Sequence, residues 1–149
     1  MKKLILLLTL LPILSYGQTT TPYVEVNTGI STGIVPFFPG ASVLYGATTK
    51  YNSGIILDYE AGIAFPSLIT FKGGVGYDFN GTQVSVGIRP WPATTYGQVE
   101  ISRPKKLSDI VITLESMLWS ENFFVQRGLV TVGWRFKNMK YRDIRKKNK

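Results

Sequence analysis

Residues 71–89 read FKGGVGYDFNGTQVSVGIR. Phe71, Gly73, Val75, Tyr77 and Phe79 alternate with Lys72, Gly74, Gly76 and Asp78, and a period of two is the period of a β-strand. Asn80-Gly81 then supplies the residue pair best suited to a type I′ hairpin turn, which needs φ > 0 twice. Beyond it the alternation resumes, with Val84, Val86 and Ile88 against Gln83, Ser85, Gly87 and Arg89. Opposing Phe79 with Thr82 sets Tyr77 against Val84 and Val75 against Val86, with Asp78 against Gln83 and Gly74 against Gly87 on the other face. Both strands therefore agree on which face is apolar, and the turn carries the register.

The same pattern extends in both directions. Eight alternating segments are expected, at Tyr23–Ile34, Gly40–Thr48, Gly54–Phe65, Leu68–Phe79, Thr82–Arg89, Thr94–Ser102, Asp109–Trp119 and Arg127–Phe136. The connections, among them TTKYNSG, FPS, NG, RPWPATT and RPKKLS, hold Pro, Gly, Asn and Ser where strands should stop. Short, evenly spaced strands with no helical stretch between them predict an all-β fold, an eight-stranded antiparallel up-and-down β-barrel. One face of the segments is Val, Ile, Leu, Tyr, Trp and Phe. The other carries Glu25, Asp58, Glu60, Lys72, Asp78, Arg89, Glu100, Glu115, Arg127 and Arg135 among Gly, Ser, Thr, Asn and Gln, with Leu44, Ile56 and Val111 as apolar exceptions.

The chain opens MKKLILLLTLLPILSYGQ: two lysines, an apolar run from Leu4 to Leu14 and small residues before Gln18. This is the layout of a secretory signal peptide over residues 1–17, and its apolar run is too short for a spanning helix. There is no cysteine, so neither a disulfide framework nor a lipoprotein attachment site is available. The formal charge of +8 is unevenly spread. Of 17 Lys and Arg, two sit in the leader and seven in the tail 137–149. Of nine acids one is in the tail, so eight of each sign remain in the domain 18–136. The expected folded part is neutral, which together with export argues against nucleic acid as a partner. The basic tail reads either as a solvated appendage or as a contact for anionic headgroups or a periplasmic protein.

Alternation alone does not say which face looks inward. A transmembrane barrel turns its apolar face to lipid, whereas a soluble secreted barrel of lipocalin-like type would line a cavity for an apolar ligand with it. Three features favour the membrane. The polar face is dominated by small uncharged residues, unlike a solvated surface, which is about a quarter or more charged. Aromatics gather near segment ends (Tyr23, Phe65, Phe71, Phe79, Trp91, Tyr96, Trp119, Trp134 and Phe136), the arrangement of two interfacial girdles. Eight spans of about 10 residues also use most of the chain.

The leader, the eight alternating strands, the polar inner face and the aromatic-ended last strand together resemble the small outer-membrane β-barrels of the OmpA and OmpX type. The leader's Tyr-Gly-Gln ending resembles those of Bacteroidetes secreted proteins. LVTVGWRF, ending at Phe136, is similar to the terminal signal by which outer-membrane proteins are assembled. It departs from that pattern by carrying Gly133 where glycine would stand at position 131, and by the thirteen residues that follow. The resemblance implies a cell outer-membrane location, outer-membrane lipid and the assembly machinery as partners, and a monomer.

The residue inventory limits the chemistry. With no histidine and no cysteine, His-based triads, thiol catalysis and His- or Cys-ligated metals are unavailable, and no nucleotide or Ca²⁺ loop motif occurs. Asp58 and Glu60, two apart on one strand face, have a spacing that would suit paired acid/base work. The stronger reading is that interior carboxylates of a narrow barrel pair with interior cations. The hairpin register sets Lys72 against Arg89, with Glu60 beside Lys72 to bridge them, and barrel closure brings Glu25 and Arg135 together. The expectation is a non-enzymatic barrel with no cofactor, a lumen closed by this charge network, and a structural or interaction role.

Overall fold

The computed structural model describes residues 18–32, 38–65, 68–91, 93–103, 106–117 and 128–137. The expected leader, Trp119, Arg127 and the tail beyond Lys137 lie outside the described residues. Eight strands follow in order: β1 Thr19–Thr32, β2 Phe38–Lys50, β3 Ile55–Phe65, β4 Leu68–Phe79, β5 Thr82–Trp91, β6 Thr94–Ile101, β7 Asp109–Met117 and β8 Gly128–Lys137. Each pairs antiparallel with the next, and β8 returns to β1, giving a closed all-β barrel with up-and-down connectivity. Closure leaves no strand edge unpaired. β1 begins and β8 ends at one end of the barrel, called the near end below; the turns β3–β4 and β5–β6 lie at the far end. Lys137, expected at the head of the tail, is the last residue of β8 and pairs with Tyr23.

The β4–β5 hairpin has the register its turn dictates. Phe79 pairs with Thr82, Tyr77 with Val84, Val75 with Val86 and Gly74 with Gly87. Asn80 (φ 53°) and Gly81 (φ 114°) supply the two left-handed residues, and Gly81 N–H donates to Asp78 Oδ1 at 2.9 Å. The register holds to Gly73–Ile88 and then slips, because the next pair is Phe71–Trp91. Lys72 therefore faces a bulge of two residues, Arg89 and Pro90, rather than Arg89 alone. Pro90 has no N–H to give to the ladder, and a bulge is where a strand accommodates one.

Side chains sort by parity all round the barrel. Val86, Ile63, Tyr45, Phe65, Phe71, Phe79, Trp134 and Phe136 are exposed on the outside, Ile63 at 70 %. The inward set is buried and polar, joined by Leu44, Ile56 and Val111. Two of the expected girdle aromatics are not on the outside: Tyr23 and Tyr96 are 2 % and 4 % exposed and point inward. Each lies directly across from a glycine of the neighbouring strand, Tyr23 opposite Gly46 and Tyr96 opposite Gly87. A Cβ on Gly46 would stand 2.7 Å from Tyr23 Oη, and one on Gly87 2.7 Å from Tyr96 Cζ. The missing side chain is what lets each ring lie against the wall in a lumen only wide enough for its own side chains.

Candidate functional site: the charged interior

Glu25, Asp58, Glu60, Lys72, Asp78, Arg89, Glu100, Glu115 and Arg135 are all buried, on eight different strands' inner faces taken together with Lys50 on β2. Arg127 lies outside the described residues. Burying an ion costs several kcal/mol unless it is paired and hydrogen-bonded, so the partners decide what the arrangement is.

The near-end network centres on Arg135. Glu25 and Arg135 are cross-strand partners at the β1–β8 seam, and Arg135 Nε lies 2.6 Å from Glu25 Oε2. Its other nitrogens reach Glu100 Oε2 at 2.9 Å, Asp58 Oδ2 at 3.1 Å and Glu60 Oε2 at 3.6 Å, so one guanidinium serves four carboxylates from three strands. Its Cζ stands 3.8 Å from the centre of the Tyr23 ring, a cation–π contact made in the absence of bulk water. Tyr23 Oη donates to Asp58 Oδ1 at 2.8 Å, with Glu60 Oε2 a second acceptor at 3.2 Å.

The remaining carboxylate oxygens of this network are also engaged, while Asn27 Oδ1 has no partner. Asn27 donates to Glu25 Oε1 at 2.9 Å, Thr48 to Asp58 Oδ1 at 2.8 Å, and Gln98 closes on Asp58 Oδ2 at 3.5 Å. Lys137 Nζ pairs with Glu100 Oε1 and lies 3.5 Å from Asp109 Oδ2, while the Arg103 N–H donates to Asp109 Oδ1 at 2.8 Å. Each carboxylate oxygen of Glu25, Asp58, Glu60, Glu100 and Asp109 has a cation or a donor. Nearer the mouth, Lys50 Nζ pairs with Asp78 Oδ2 at 2.5 Å.

The far-end network has the opposite balance. Lys72 and Arg89 share Glu115 Oε1, at 3.5 Å and 2.9 Å, and Thr94 Oγ1 donates to Glu115 Oε2 at 3.3 Å. Glu60, the cross-strand partner of Lys72, meets its Nζ at 3.0 Å but does not bridge to Arg89; its other oxygen is committed to Tyr23 and Arg135. The bridge expected of Glu60 is made by Glu115, from across the lumen on β7. The bulge takes Arg89 out of one-to-one register with Lys72. Lys72 Nζ also stands 5.5 Å from the centre of the Tyr96 ring.

Asp58 and Glu60 are thus both held as ion-pair and hydrogen-bond acceptors rather than as a free acid/base pair. Tyr23, Tyr96, Lys50, Asp109, Lys137 and Gln98 belong to the network and were not among the expected charged residues. Inward parity was legible for the two tyrosines and Asp109. Lys50 was hidden because it follows the last alternating residue of its segment. In comparisons with family models, curated proteins and solved structures, nothing matches this chain.

Proposed function

We propose that this protein is a non-enzymatic outer-membrane β-barrel of the small OmpA/OmpX-like kind, exported by its leader and monomeric, with a lumen closed by paired charges. Its role is structural or interaction-based, with the basic tail available to a periplasmic partner. The observation that carries this reading is the outward apolar face. More than two dozen large apolar side chains lie exposed around the wall. Full burial of such a side chain is worth about 1.5–3 kcal/mol. Even at half the lower value each, leaving them in water forgoes roughly 20 kcal/mol, more than the ~5–15 kcal/mol by which folded proteins are stable. A face of that extent needs a covering phase, and lipid is the one that fits a continuous belt around a barrel.

A soluble lipocalin-like carrier is the competing reading, and it calls for the Val, Ile and Tyr side chains to line a cavity. The orientation of the two faces supports the membrane reading over it. The test is partition of the mature protein after cell fractionation. Recovery in detergent-extracted outer membrane is expected, and recovery as a soluble monomer without detergent would overturn the reading. For the lumen, planar-bilayer recordings of the purified protein should show no steady, large unitary conductance.

A further inference from the structure

Two buried donors on β4 and β5 at the far end have no acceptor, Arg89 Nε and Thr70 Oγ1; Thr131 Oγ1 on β8 is a third. Buried donors without partners are rare enough that each asks for an explanation, an unseen water or ion being the common one. Arg89 and Thr70 are neighbours in the fold. Thr70 stands two residues before Lys72 on the same inner face of β4, and Arg89 occupies the β5 bulge that faces Lys72. Bulges commonly serve to re-aim a side chain, and this is the one register shift among the described strand pairings.

Charge points the same way. Lys72 and Arg89 must share one Glu115 oxygen, while Glu60 divides itself between Lys72 and Arg135. The inner faces of β1–β3 at this end carry small, only partly buried residues, Gly29, Gly40, Ser42 and Gly62. Nothing long projects from them toward the cations.

We infer that the Thr70/Lys72/Arg89 corner is a binding site for a small free oxyanion of the phosphate or sulfate class. Arg89 Nε–H and the Thr70 hydroxyl donate to its oxygens, and the Lys72 ammonium balances its charge. A guanidinium edge is suited to a planar or tetrahedral oxyanion because its donors are held in a fixed fork. The inference stands on the interior alone, so it fails or survives independently of what covers the outer face.

The experiment uses the mature protein purified in an uncharged detergent, in chloride buffer at constant ionic strength. Inorganic phosphate and then sulfate are titrated by calorimetry, with thermal unfolding followed in parallel. Saturable one-to-one binding with a matching rise in melting temperature is expected. Arg89→Gln should weaken it about tenfold or more, and Glu115→Gln, which releases Arg89 from its carboxylate and leaves Lys72 with Glu60 alone, should tighten it. If Arg89→Gln does not fold, Thr70→Val takes its place, and weaker binding is again the expected result. Absence of saturable binding to the unaltered protein, or affinity unchanged in the folded variant, would overturn the site and leave water as the occupant.

Discussion

At the near end one guanidinium holds four carboxylates, while at the far end one carboxylate holds two cations. Both networks are built on the same frame, a tyrosine laid over a glycine of the next strand with a cation against its ring. They differ in completeness. Every carboxylate oxygen around Arg135 has a partner and the near end's unpaired atoms are the amide oxygens of Asn27 and Gln83, whereas the far end keeps the donors Arg89 Nε and Thr70 Oγ1 without one. A polar network in low dielectric stabilises only when satisfied. The near end therefore reads as the plug that locks the barrel, and the far end as the place with capacity to spare. Glu60 joins the two, with one oxygen on Lys72 and the other near Arg135.

The largest effect is expected at the hub. Arg135→Gln leaves Glu25, Asp58, Glu60 and Glu100 without their shared donor and should cost about 3–5 kcal/mol in denaturant unfolding. Glu25→Gln should cost less, since Arg135 keeps three other carboxylates. The double variant should fall short of the sum by about 0.5–3 kcal/mol. Strict additivity would break the description of Arg135 as a hub and weaken the case for the seam as a charge-matched closure.

An intermediate effect is expected at the far bridge. Glu115→Gln removes the one carboxylate oxygen that Lys72 and Arg89 share, yet Lys72 retains Glu60 and the Tyr96 ring. The loss should be about 1.5–3 kcal/mol by the same unfolding assay, below that of Arg135→Gln. A loss equal to or above the hub's would show that the two networks are equally closed, and the contrast drawn between them would not stand.

The smallest effects separate the glycines. Gly46→Ala and Gly87→Ala put a methyl against Tyr23 and Tyr96 and also against the backbone oxygens of Tyr59 and Gly73, respectively, and overpacking of this kind costs about 1–3 kcal/mol. Gly46→Ala also disturbs the contacts of Tyr23 Oη with Asp58 and Glu60. Gly97 faces outward with no atom within 4 Å of an added Cβ, so Gly97→Ala should stay within about 0.5 kcal/mol of the parent. Equal melting temperatures for all three variants would remove the tyrosine–glycine frame from the account.

Much of this molecule was readable from local rules. Parity assigns Glu25, Asp58, Glu60, Lys72, Arg89, Glu100, Glu115 and Arg135 to one face because successive Cβ atoms point to opposite sides of a strand. Asn80-Gly81 carries the β4–β5 register because only certain residues accept φ > 0. An even count of such strands allows closure, and closure makes Glu25 and Arg135 neighbours. Parity also held the inward direction of Tyr23 and Tyr96, but proximity to segment ends suggested the opposite, and burial against glycine prevailed.

What local rules do not contain is contact across the lumen. Which acid reaches Arg89 depends on strand tilt, on stagger around the closed sheet and on the bulge at Arg89-Pro90, all properties of the whole barrel. The same holds for the convergence of Asp58, Glu60 and Glu100 on Arg135, whose strands are not all neighbours. The sequence by itself determined the strands, their two faces and the seam, since these follow from backbone geometry within a few residues. Only the tertiary structure decided how the charges are shared, because ion pairing falls off within a few ångströms and the distances between facing walls exist only once the barrel is closed.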